Sequence, residues 1–574
     1  MLKKKLFIFN ILVLVILVFL GCVAKNSTQD FDIMIINGRI VDGTGNPWYY
    51  SDIGIKDDII TDIGNLSKKK AATIIDAKGL IIAPGFIDLH THCDWGLGVP
   101  SANVNLNYLK QGTTTVVTGN CGTGTIKITE IKKKWERHGI GTNAIHVVGF
   151  GAIRKEVLGL EPRAPSTTEL EKMKALLRQA MQEGAWGMSV GLEYIPDMYS
   201  STEEIIALAK IAAEFNGVYL AHQRDEDSNV PDATRETIQI AKEAQIRANV
   251  AHFKVIGKEN WGSMEEAVDV INNARENGLY ITADMYPYDK ASVGPIISIE
   301  SNSGWSLFRL PDDMEPFAEI RKKINSPNTS KIDKNKLQDR YIEELAKALK
   351  DKSKYKEIRE SVLKGEPDDP SPIKLAGWSA YAVVDAQKSH HLIGKILSDI
   401  ADEQKRDPFD IVADLAIEEP NIQLSAGALS EVEMKYLMKQ NWLMFSSDGI
   451  AVPIIKASAN PLKGHPRSFG SQARVIRKYV REEKTLILED AIRKMSSLPS
   501  QLLQLKKRGL LFKGYKADIV LFDPNEIQDV ATYADSQKYS RGIKYVLVNG
   551  RICIDNGDYN NNINGKLLLL NKDH

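Results

Sequence analysis

Two histidines near the N-terminal part of the chain have the spacing of a metal-chelating pair. His90 and His92 end the segment FIDLHTH (86–92) as His-x-His. Because side chains alternate along a strand, both imidazoles point the same way. Two converging imidazoles can chelate zinc or a similar ion. Such a pair also occurs by chance, so further ligands are needed to support a metal site.

Four more residues with metal-binding side chains stand at the ends of other apolar runs. They are Cys121 in TGNCG, His222 in VYLAH, His252 in ANVAH and Asp448 in SSDG. Four of the ten histidines in the chain therefore occupy predicted strand ends. Imidazoles, a thiol and a carboxylate at equivalent places predict a metal centre rather than six unrelated packing residues.

The runs that carry these residues alternate with amphipathic helices. Buried parallel strands are predicted at 80–82 running on to His90, and at 113–118, 144–149, 187–190, 218–222, 248–252, 280–286 and 443–448. The helices have capped ends, such as the capping box of Ser201 and Glu204. This alternation predicts the α/β class and a (β/α)8 TIM barrel, whose chemistry lies at the C-terminal ends of the strands.

The two chain ends and one internal segment depart from this alternation. Residues 31–80 and 508–574 have short alternating strands and turn residues, which predicts a small β-sandwich built from both ends beside a barrel of residues 81–507. Residues 310–372 are charged and helical in pattern. We interpret them as an insertion after the seventh strand, either a lid over the barrel mouth or a solvated excursion.

Length and composition agree with a large globular protein. The chain has 574 residues, of which 43% are hydrophobic and 26% charged, and this excludes a wholly disordered or fibrous protein. Lys plus Arg and Asp plus Glu each number 74, so the net charge is zero. Nothing in this balance indicates a nucleic-acid partner.

The first 30 residues have the layout of an export signal. Lys3 to Lys5 precede the run Leu6 to Leu20, which is apolar except for Asn10, and Gly21 and Cys22 follow. This pattern resembles a bacterial lipoprotein signal, with Cys22 as the lipidation site and residues 23–30 as a tether. An uncleaved membrane anchor and plain secretion are the alternatives. The preferred prediction is an extracytoplasmic protein of the bacterial cell envelope that is lipid-anchored to the membrane.

The four cysteines, Cys22, Cys93, Cys121 and Cys553, have no regular spacing and predict no disulfide framework. Cys22 and Cys121 have the roles given above. We expect Cys93 to be a spare thiol at the barrel mouth and Cys553 to pack in a core.

Ten short motifs lie between residue 41 and residue 524. They are VDGTG (41–45), APGFIDLHTH (83–92), GTTTVVTGNCG (112–122), GLEY (191–194), AHQRDE (221–226), AHFKVIGKENWG (251–262), YPY (286–288), SSDG (446–449), GHPRSFG (464–470) and KADIVLFDP (516–524). Together they resemble the amidohydrolase superfamily and, within it, the N-acyl-D-amino-acid deacylases (D-aminoacylases). The cysteine of GNCG and the HFK and HPR triplets are typical of this branch.

The resemblance implies two groups of metal ligands. These are Cys121, His222 and His252 for a tightly bound zinc, and His90, His92 and Asp448 for a second, weaker divalent-metal site that would border Cys121. Cys121 would replace the bridging carboxylated lysine or glutamate of other superfamily members. A thiolate and two imidazoles leave zinc one position for water, as in catalytic sites.

The resemblance also implies the reaction, which is hydrolysis of an N-acyl-D-amino acid to a carboxylate and a free D-amino acid. Asp448 would act as general base toward the metal-activated water and would then protonate the departing amine. Arg467 could bind the substrate carboxylate bidentately. The implied substrate-binding residues are Lys254, Tyr286, Arg467, Tyr194 and Ser292.

Two alternatives keep parts of this prediction. A metal-dependent cyclic amidase of the dihydroorotase or hydantoinase type, or a D-residue peptidase, would use a similar centre, but Cys121 and the HPR triplet argue against both. A non-catalytic, lipid-anchored binding protein would keep the fold, but the complete ligand set with Asp448 argues against it. The expected partners are a small-molecule substrate and, through the N-terminal anchor, a membrane.

Overall fold

The computed structural model describes residues 29–297, 307–308, 310, 313–324, 326, 329–366, 369–427, 429–453, 464–533 and 535–570. The predicted lipidation site Cys22 and the apolar run before it lie outside these residues. Among the helices that are described, none combines the length and the hydropathy needed to cross a bilayer.

The strands are numbered in chain order. They are β1 (Phe31–Ile40), β2 (Tyr49–Lys56), β3 (Ile59–Gly64), β4 (Ala71–Asp76), β5 (Ile81–Pro84), β6 (Phe86–Asp88), β7 (Thr113–Thr118), β8 (Asn143–His146), β9 (Val148–Gly149), β10 (Gly187–Gly191), β11 (Val218–His222), β12 (Arg247–Val250), β13 (Ile281–Met285), β14 (Ser292–Pro295), β15 (Gly365–Glu366), β16 (Asp369–Pro370), β17 (Ala382–Asp385), β18 (Gln423–Ala426), β19 (Leu443–Phe445), β20 (Ile519–Phe522), β21 (Ile543–Val548), β22 (Arg551–Asp555) and β23 (Asp558–Tyr559).

Helices connect most of these strands. The α-helices are Asp94–Leu97, Leu106–Leu109, Ile128–His138, Phe150–Leu158, Thr167–Glu183, Thr202–Glu214, Val230–Ala244, Ser263–Glu276, Phe317–Ile324, Lys331–Ala348, Lys352–Lys364, Pro372–Ala376, Leu397–Gln404, Pro408–Glu418, Glu431–Met438, Arg467–Arg474, Leu488–Met495 and Ser497–Leu502. Short 3₁₀ turns are Asp197–Tyr199, Lys258–Asn260, Trp378–Ala380 and His390–Leu392, and Val475–Glu482 is a π-helix.

Parallel strands form the barrel. One set pairs in the order β6-β7-β8, and the other in the order β9-β10-β11-β12-β13-β19. β8 and β9 are two parts of one extended run that is interrupted at Val147. The ring closes where Thr91, after β6, bridges Gly449, after β19, in parallel, and the His92 N–H donates to the Gly449 carbonyl at 2.7 Å. The predicted (β/α)8 fold class is confirmed.

The first predicted strand is divided at Gly85. β5 pairs with β1 and β20 of the sheet module, whereas β6 begins the barrel by pairing with β7. The Gly85 N–H donates to the Asp518 carbonyl at 2.8 Å, and a Cβ on Gly85 would lie 2.3 Å from the Thr114 side chain. Only glycine fits there. The change of pairing partners places the junction between the β module and the barrel at residue 85, whereas the sequence predicted it at residue 80.

Both chain ends contribute to one nine-stranded sheet. Its order is β23-β22-β21-β20-β5-β1-β2-β3, and β4 pairs with β1 on the same edge as β5. The predicted β module built from both chain ends is therefore a single hydrogen-bonded sheet, in which β1 pairs with β2, β4 and β5. Its buried apolar side chains include Ile33, Ile35, Ile53, Ile55, Ile82, Ile519, Leu521 and Leu547.

The last described residues leave this sheet and pack on the barrel. The Ala144 N–H donates to the Lys566 carbonyl at 2.9 Å, and the Trp186 indole N–H donates to the Leu568 carbonyl at 2.8 Å. Leu568, Leu569 and Leu570 are buried in the barrel core. The sequence had placed this tail in the β module. Its leucines instead cover the N-terminal ends of β8 and β10, opposite the candidate ligands.

A separate layer interrupts the barrel between β13 and β19. β14, β18 and β17 form an antiparallel sheet in that order. With the neighbouring helices they enclose a hydrophobic core of their own, which includes Leu307, Phe317, Tyr341, Phe409 and Leu424. The insertion therefore extends from β14 to β18, well beyond the predicted 310–372, because strands on both sides of its helices pair. Lys258, in the loop after β12, contacts Ser379 of the insertion at 3.4 Å.

Candidate metal centre and active site

The six predicted ligands all lie at one end of the barrel. His90 and His92 follow β6, Cys121 follows β7, His222 ends β11, His252 follows β12 and Asp448 follows β19. Parallel strands bring these ends to a common rim. Five of the six side chains are buried, and His92 is the most accessible of them, with 13% of its side chain exposed.

Donor atoms of the buried ligands converge on Cys121. Its Sγ lies 3.3 Å from His90 Nε2 and 3.6 Å from His252 Nε2. The Nδ1 atom of His222 lies 2.9 Å from His252 Nε2, so His222 joins the same cluster. The donor atoms of His90, Cys121 and His252 all lie within 4.8 Å of one another, a spacing that one metal ion can bridge.

A second group of donors overlaps the first. Oδ1 of Asp448 lies 3.5 Å from His90 Nε2 and 3.3 Å from His92 Nε2, again within the span of one ion. His90 therefore belongs to both groups. The sequence assigned His90 to the weaker site alone and put Cys121 at the border of the two sites. In the structure, His90 also lies on that border.

Glu226 forms a third group with His222 and His252, a role that was not predicted from the sequence. Its Oε1 lies 2.8 Å from His252 Nδ1, and its Oε2 lies 2.5 Å from Lys254 Nζ. Glu193 of the GLEY motif similarly lies 3.2 Å from His222 Nε2. The only signal in the sequence was an acidic residue four positions after a ligand histidine, inside a motif already noted.

The backbone is strained at three of the ligands. Cys121, His252 and Asp448 have φ values of +52°, +33° and +49°. Non-glycine residues in this left-handed region are uncommon and cluster at functional sites. Beside Cys121, a Cβ on Gly122 would lie 2.2 Å from Asp197 Oδ2. The GNCG motif is therefore a tight turn that holds the thiol at the centre.

The charges around the ligands favour a cation at the centre. Burial alone raises the pKa of the Cys121 thiol, but the His90 imidazolium and hydrogen bonds from the histidines lower it well below its ordinary value. Burial lowers the pKa of His222, but Glu226 and the thiolate raise it to about 10. The site thus carries negative charge that attracts protons, and a divalent metal ion would satisfy the same charge.

Asp448 lies between the histidines and a cation. While Oδ1 faces His90 and His92, Oδ2 lies 2.7 Å from Nη1 of Arg467. Burial raises the pKa of the Asp448 carboxyl, but the Arg467 charge and the hydrogen bond with His92 hold it well below its usual range. Asp448 is therefore ionised, which is the form that can accept a proton.

Three of the predicted substrate-binding residues lie together beside this pair. The Tyr286 ring centroid is 5.0 Å from the Arg467 guanidinium carbon and 5.9 Å from Lys254 Nζ. Arg467 and the Tyr286 hydroxyl both donate to the Ala291 carbonyl, at 3.1 and 3.4 Å. The nearest partners of Lys254 are Glu226 and the Nδ1 atom of His252, which lies 2.9 Å away.

Of the other predicted residues, Tyr194 is at the rim and 38% exposed, with its ring centroid 4.6 Å from that of His222. Ser292 contributes its backbone to β14, and its side chain lies outside the described part of the chain. Cys93, next to His92, is fully buried in an apolar cluster with Tyr108, so its thiol packs there and is not exposed to solvent at the mouth. Cys553 packs in the core as predicted.

The model of the amidohydrolase family (Amidohydro_3) matches residues 73–285 and 398–554, well over half of the chain. The chain belongs to the amidohydrolase family. The family model does not match residues 286–397 of this amidohydrolase. These residues make up most of the insertion, which has a separate hydrophobic core.

Individual relatives cover almost the whole amidohydrolase chain. D-aminoacylase of Alcaligenes xylosoxydans xylosoxydans is 28% identical over an alignment of 566 residues, and the match covers 92% of this chain and 95% of the relative. N-acyl-D-aspartate deacylase of the same organism is 28% identical and covers 91% of each chain. The structure is also similar to that of N-acyl-D-glutamate deacylase from Bordetella bronchiseptica, solved with zinc and a phosphonate mimic of the tetrahedral intermediate. That match has a TM-score of 0.70, 26% identity, and coverage of 94% of this chain and 100% of the other.

These relatives confirm the prediction that the chain is a hydrolase of amide bonds.

One more residue of the site in this amidohydrolase was not predicted from the sequence. Asp284, in β13, accepts hydrogen bonds from the Ser446 hydroxyl at 2.5 Å and the His252 N–H at 3.1 Å, and lies 3.8 Å from His90 Nδ1. It supports ligands of both groups. The sequence feature that could have indicated this role is the single carboxylate in the otherwise uncharged strand ITADM.

Proposed function

We propose that the chain is a zinc-dependent deacylase of N-acyl-D-amino acids, which releases a carboxylate and a free D-amino acid. One observation carries this proposal: a thiolate, four imidazoles and an ionised carboxylate converge at the barrel mouth, and the carboxylate is paired with Arg467. The relatives named above as D-aminoacylase and N-acyl-D-aspartate deacylase support it.

The donor set fits zinc. Cysteine thiolate and histidine imidazole are ligands that zinc prefers, and hard cations such as magnesium favour oxygen ligands instead. Cys121 with His222 and His252 would hold the tight ion, while His90 and His92 with Asp448 would hold a second, weaker one. When bound, zinc supplies a Lewis acid for the amide carbonyl and lowers the pKa of water.

Asp448 would move the proton that amide hydrolysis requires. Its Oδ2 is held by Arg467, so Oδ1, which faces the histidines, would be the oxygen that accepts the proton of the attacking water. The same oxygen would then protonate the amide nitrogen, because an amine leaves poorly as an anion. The water hydroxyl ends on the acyl carbon, the C–N bond breaks, and Asp448 returns to its carboxylate form.

Arg467, Tyr286 and Lys254 would bind the carboxylate that all such substrates share. The two cations flank the Tyr286 ring at 5.0 and 5.9 Å, which creates a positive pocket beside Asp448. A substrate carboxylate in this pocket would share the cations with Asp448 and Glu226, and Arg467 can bind it with two parallel hydrogen bonds.

A hydrolysis screen tests this function. The zinc-loaded protein is assayed with N-acetyl derivatives of D- and L-amino acids, and with hydantoins and dihydroorotate as cyclic amides. We expect kcat/KM for D substrates to exceed that for L substrates by on the order of 100-fold, because only one enantiomer presents its amide at Asp448 while its carboxylate is held at Arg467. Equal rates on both enantiomers, or turnover of the cyclic amides alone, would contradict the proposal.

Glu226→Gln is expected to weaken zinc binding by about 10- to 100-fold. The Glu226 carboxylate accepts the His252 Nδ1–H at 2.8 Å and so keeps Nε2 facing Cys121, whereas a neutral amide orients the ring less firmly. Competition with a chelator measures the affinity. Glu236→Gln is the matched control, because Glu236 pairs with Arg224 at 2.9 Å and contacts no ligand of the centre. Equal affinity in Glu226→Gln and in the parent protein would refute this positioning role.

Lipidation at Cys22 and a place in the bacterial cell envelope are also part of the proposal. Their support is the sequence of the first 22 residues.

A further inference from the structure

Two exposed aromatic rings contact ligand histidines, and the deacylation steps above do not use them. Trp95, after β6, stacks on His92 with ring centroids 5.1 Å apart, yet 61% of Trp95 is exposed. Tyr194, after β10, packs on His222 and is 38% exposed. Each ring therefore covers one ligand and leaves apolar surface open to solvent next to the metal centre.

Further apolar side chains extend both walls. Ile450, two residues after Asp448, is 41% exposed, and its neighbour Ala451 abuts the Trp95 loop: a Cβ on Gly96 would lie 2.6 Å from the Ala451 carbonyl. On the other wall, Ile195 is 50% and Met198 45% exposed. We call the set Trp95, Ile450, Tyr194, Ile195 and Met198 the apolar rim.

The apolar rim borders the reaction centre directly. The Tyr194 loop packs on the turn that carries Cys121, since a Cβ on Gly191 would lie 2.5 Å from the Cys121 carbonyl. Trp95 lies on the other side of the centre, stacked on His92. A group that leaves the metal centre over His92 or over His222 would meet the ring that covers that histidine.

The residues assigned to the substrate carboxylate follow other strands than the two rim rings do. Lys254 and Tyr286 follow β12 and β13, and Arg467 lies against Tyr286, so the carboxylate end is bound there. In the closed ring, β19 separates β6 from β13 and β11 separates β10 from β12, so the β6 and β10 loops bound the side of the barrel mouth across from this pocket. With the amide carbonyl at the ligands and the carboxylate at Arg467, that side is left for the acyl group.

We propose that the apolar rim is the subsite for the N-acyl group, and that the enzyme prefers long-chain or aromatic acyl groups to acetyl. This inference rests on the proposed deacylase function. None of the five rim side chains is charged, and the nearby Glu193 disfavours an anionic acyl group. Burial of methylene groups against exposed apolar side chains is the interaction that such a rim offers.

The test is a chain-length series. Zinc-loaded protein is assayed with N-acetyl, N-butanoyl, N-octanoyl and N-phenylacetyl derivatives of one D-amino acid. We expect kcat/KM to rise about tenfold or more from acetyl to octanoyl. Trp95→Ala should lower the octanoyl-to-acetyl ratio about fivefold, and Met198→Ser on the opposite wall should lower it in the same direction. Trp48→Ala is the control, since Trp48 is an exposed tryptophan (42%) of the β module and should leave the ratio unchanged.

The outcomes separate the two proposals. If N-acetyl-D-amino acids are hydrolysed but chain length has no effect, or if Trp95→Ala and Met198→Ser keep the parent ratio, the subsite assignment is wrong and the deacylase function stands. If no N-acyl-D-amino acid of any chain length is hydrolysed, the deacylase function fails and the subsite fails with it.

Discussion

Replacement of Asp448 by asparagine is expected to lower kcat by about 10³-fold or more while zinc stays bound at the tight site. The amide is isosteric with the carboxylate but cannot accept the proton from water at neutral pH. The parent carboxyl is ionised because Arg467, 2.7 Å away, and the hydrogen bond with His92 outweigh its burial. The substitution therefore removes an active base rather than a neutral group.

The Asp448→Asn experiment needs three measurements. Circular dichroism shows that the variant is folded, metal analysis shows that the tight site is filled, and steady-state kinetics with an N-acyl-D-amino acid gives kcat. Asp490→Asn is a suitable control, because Asp490 pairs with Arg493 on the helix Leu488–Met495, away from the ligands. A folded, zinc-loaded Asp448→Asn enzyme that keeps the parent kcat would rule out the general-base role.

Cys121→Ala is expected to abolish tight zinc binding, with an affinity loss of more than about 100-fold, and activity with it. Cys121 is the donor that contacts both His90 and His252, at 3.3 and 3.6 Å. Without the thiolate, the histidines lose the negative charge that holds a cation among them. Alanine keeps the Cβ at φ +52°, so the backbone strain of the turn is the same in both proteins and cannot account for the loss.

Metal analysis after dialysis against a weak chelator measures this effect. Cys93→Ala is the matched control, because Cys93 is an equally buried thiol that packs with Leu97 and Tyr108 instead of facing the ligands. We expect it to keep the parent zinc content. Full zinc stoichiometry in Cys121→Ala would show that the centre is held by the imidazoles and carboxylates alone.

The convergence of the six candidate ligands could be predicted because parallel topology makes strand ends equivalent. His222 and His252 each stand at the end of an apolar run, and in a barrel all such ends meet on one rim. The two-residue period of a strand likewise made His90 and His92 a pair. These inferences need only local sequence and one topological rule.

The partners of those ligands could not be predicted in the same way. Glu226 and Asp284 are distant in sequence from some of the histidines that they contact, and a lone carboxylate has many candidate partners. Lys254 illustrates the difficulty. Its place two residues after His252 was evident, but its contact with Glu226 at 2.5 Å depends on how the loops after β11 and β12 pack.

The boundaries between the β module and the barrel could not be predicted accurately, for a related reason. Apolar residues stand on both sides of Pro84-Gly85 in the segment 80–90, so the hydrophobic pattern does not show that the chain passes from one sheet to another at Gly85. Residues 567–570 are also apolar, and apolar pattern does not say which surface they cover. Only the packed structure shows that these leucines cover the N-terminal ends of β8 and β10.

The sequence by itself determined the fold class and the types of side chain at the barrel mouth, since both follow from periodicity and from the chemistry of each residue. The tertiary structure decided that His90 belongs to both donor groups, that Arg467 holds one oxygen of Asp448, and that exposed rings flank the ligands. These are distances between loops of different strands. Such distances depend on barrel radius and loop packing, which no local pattern encodes.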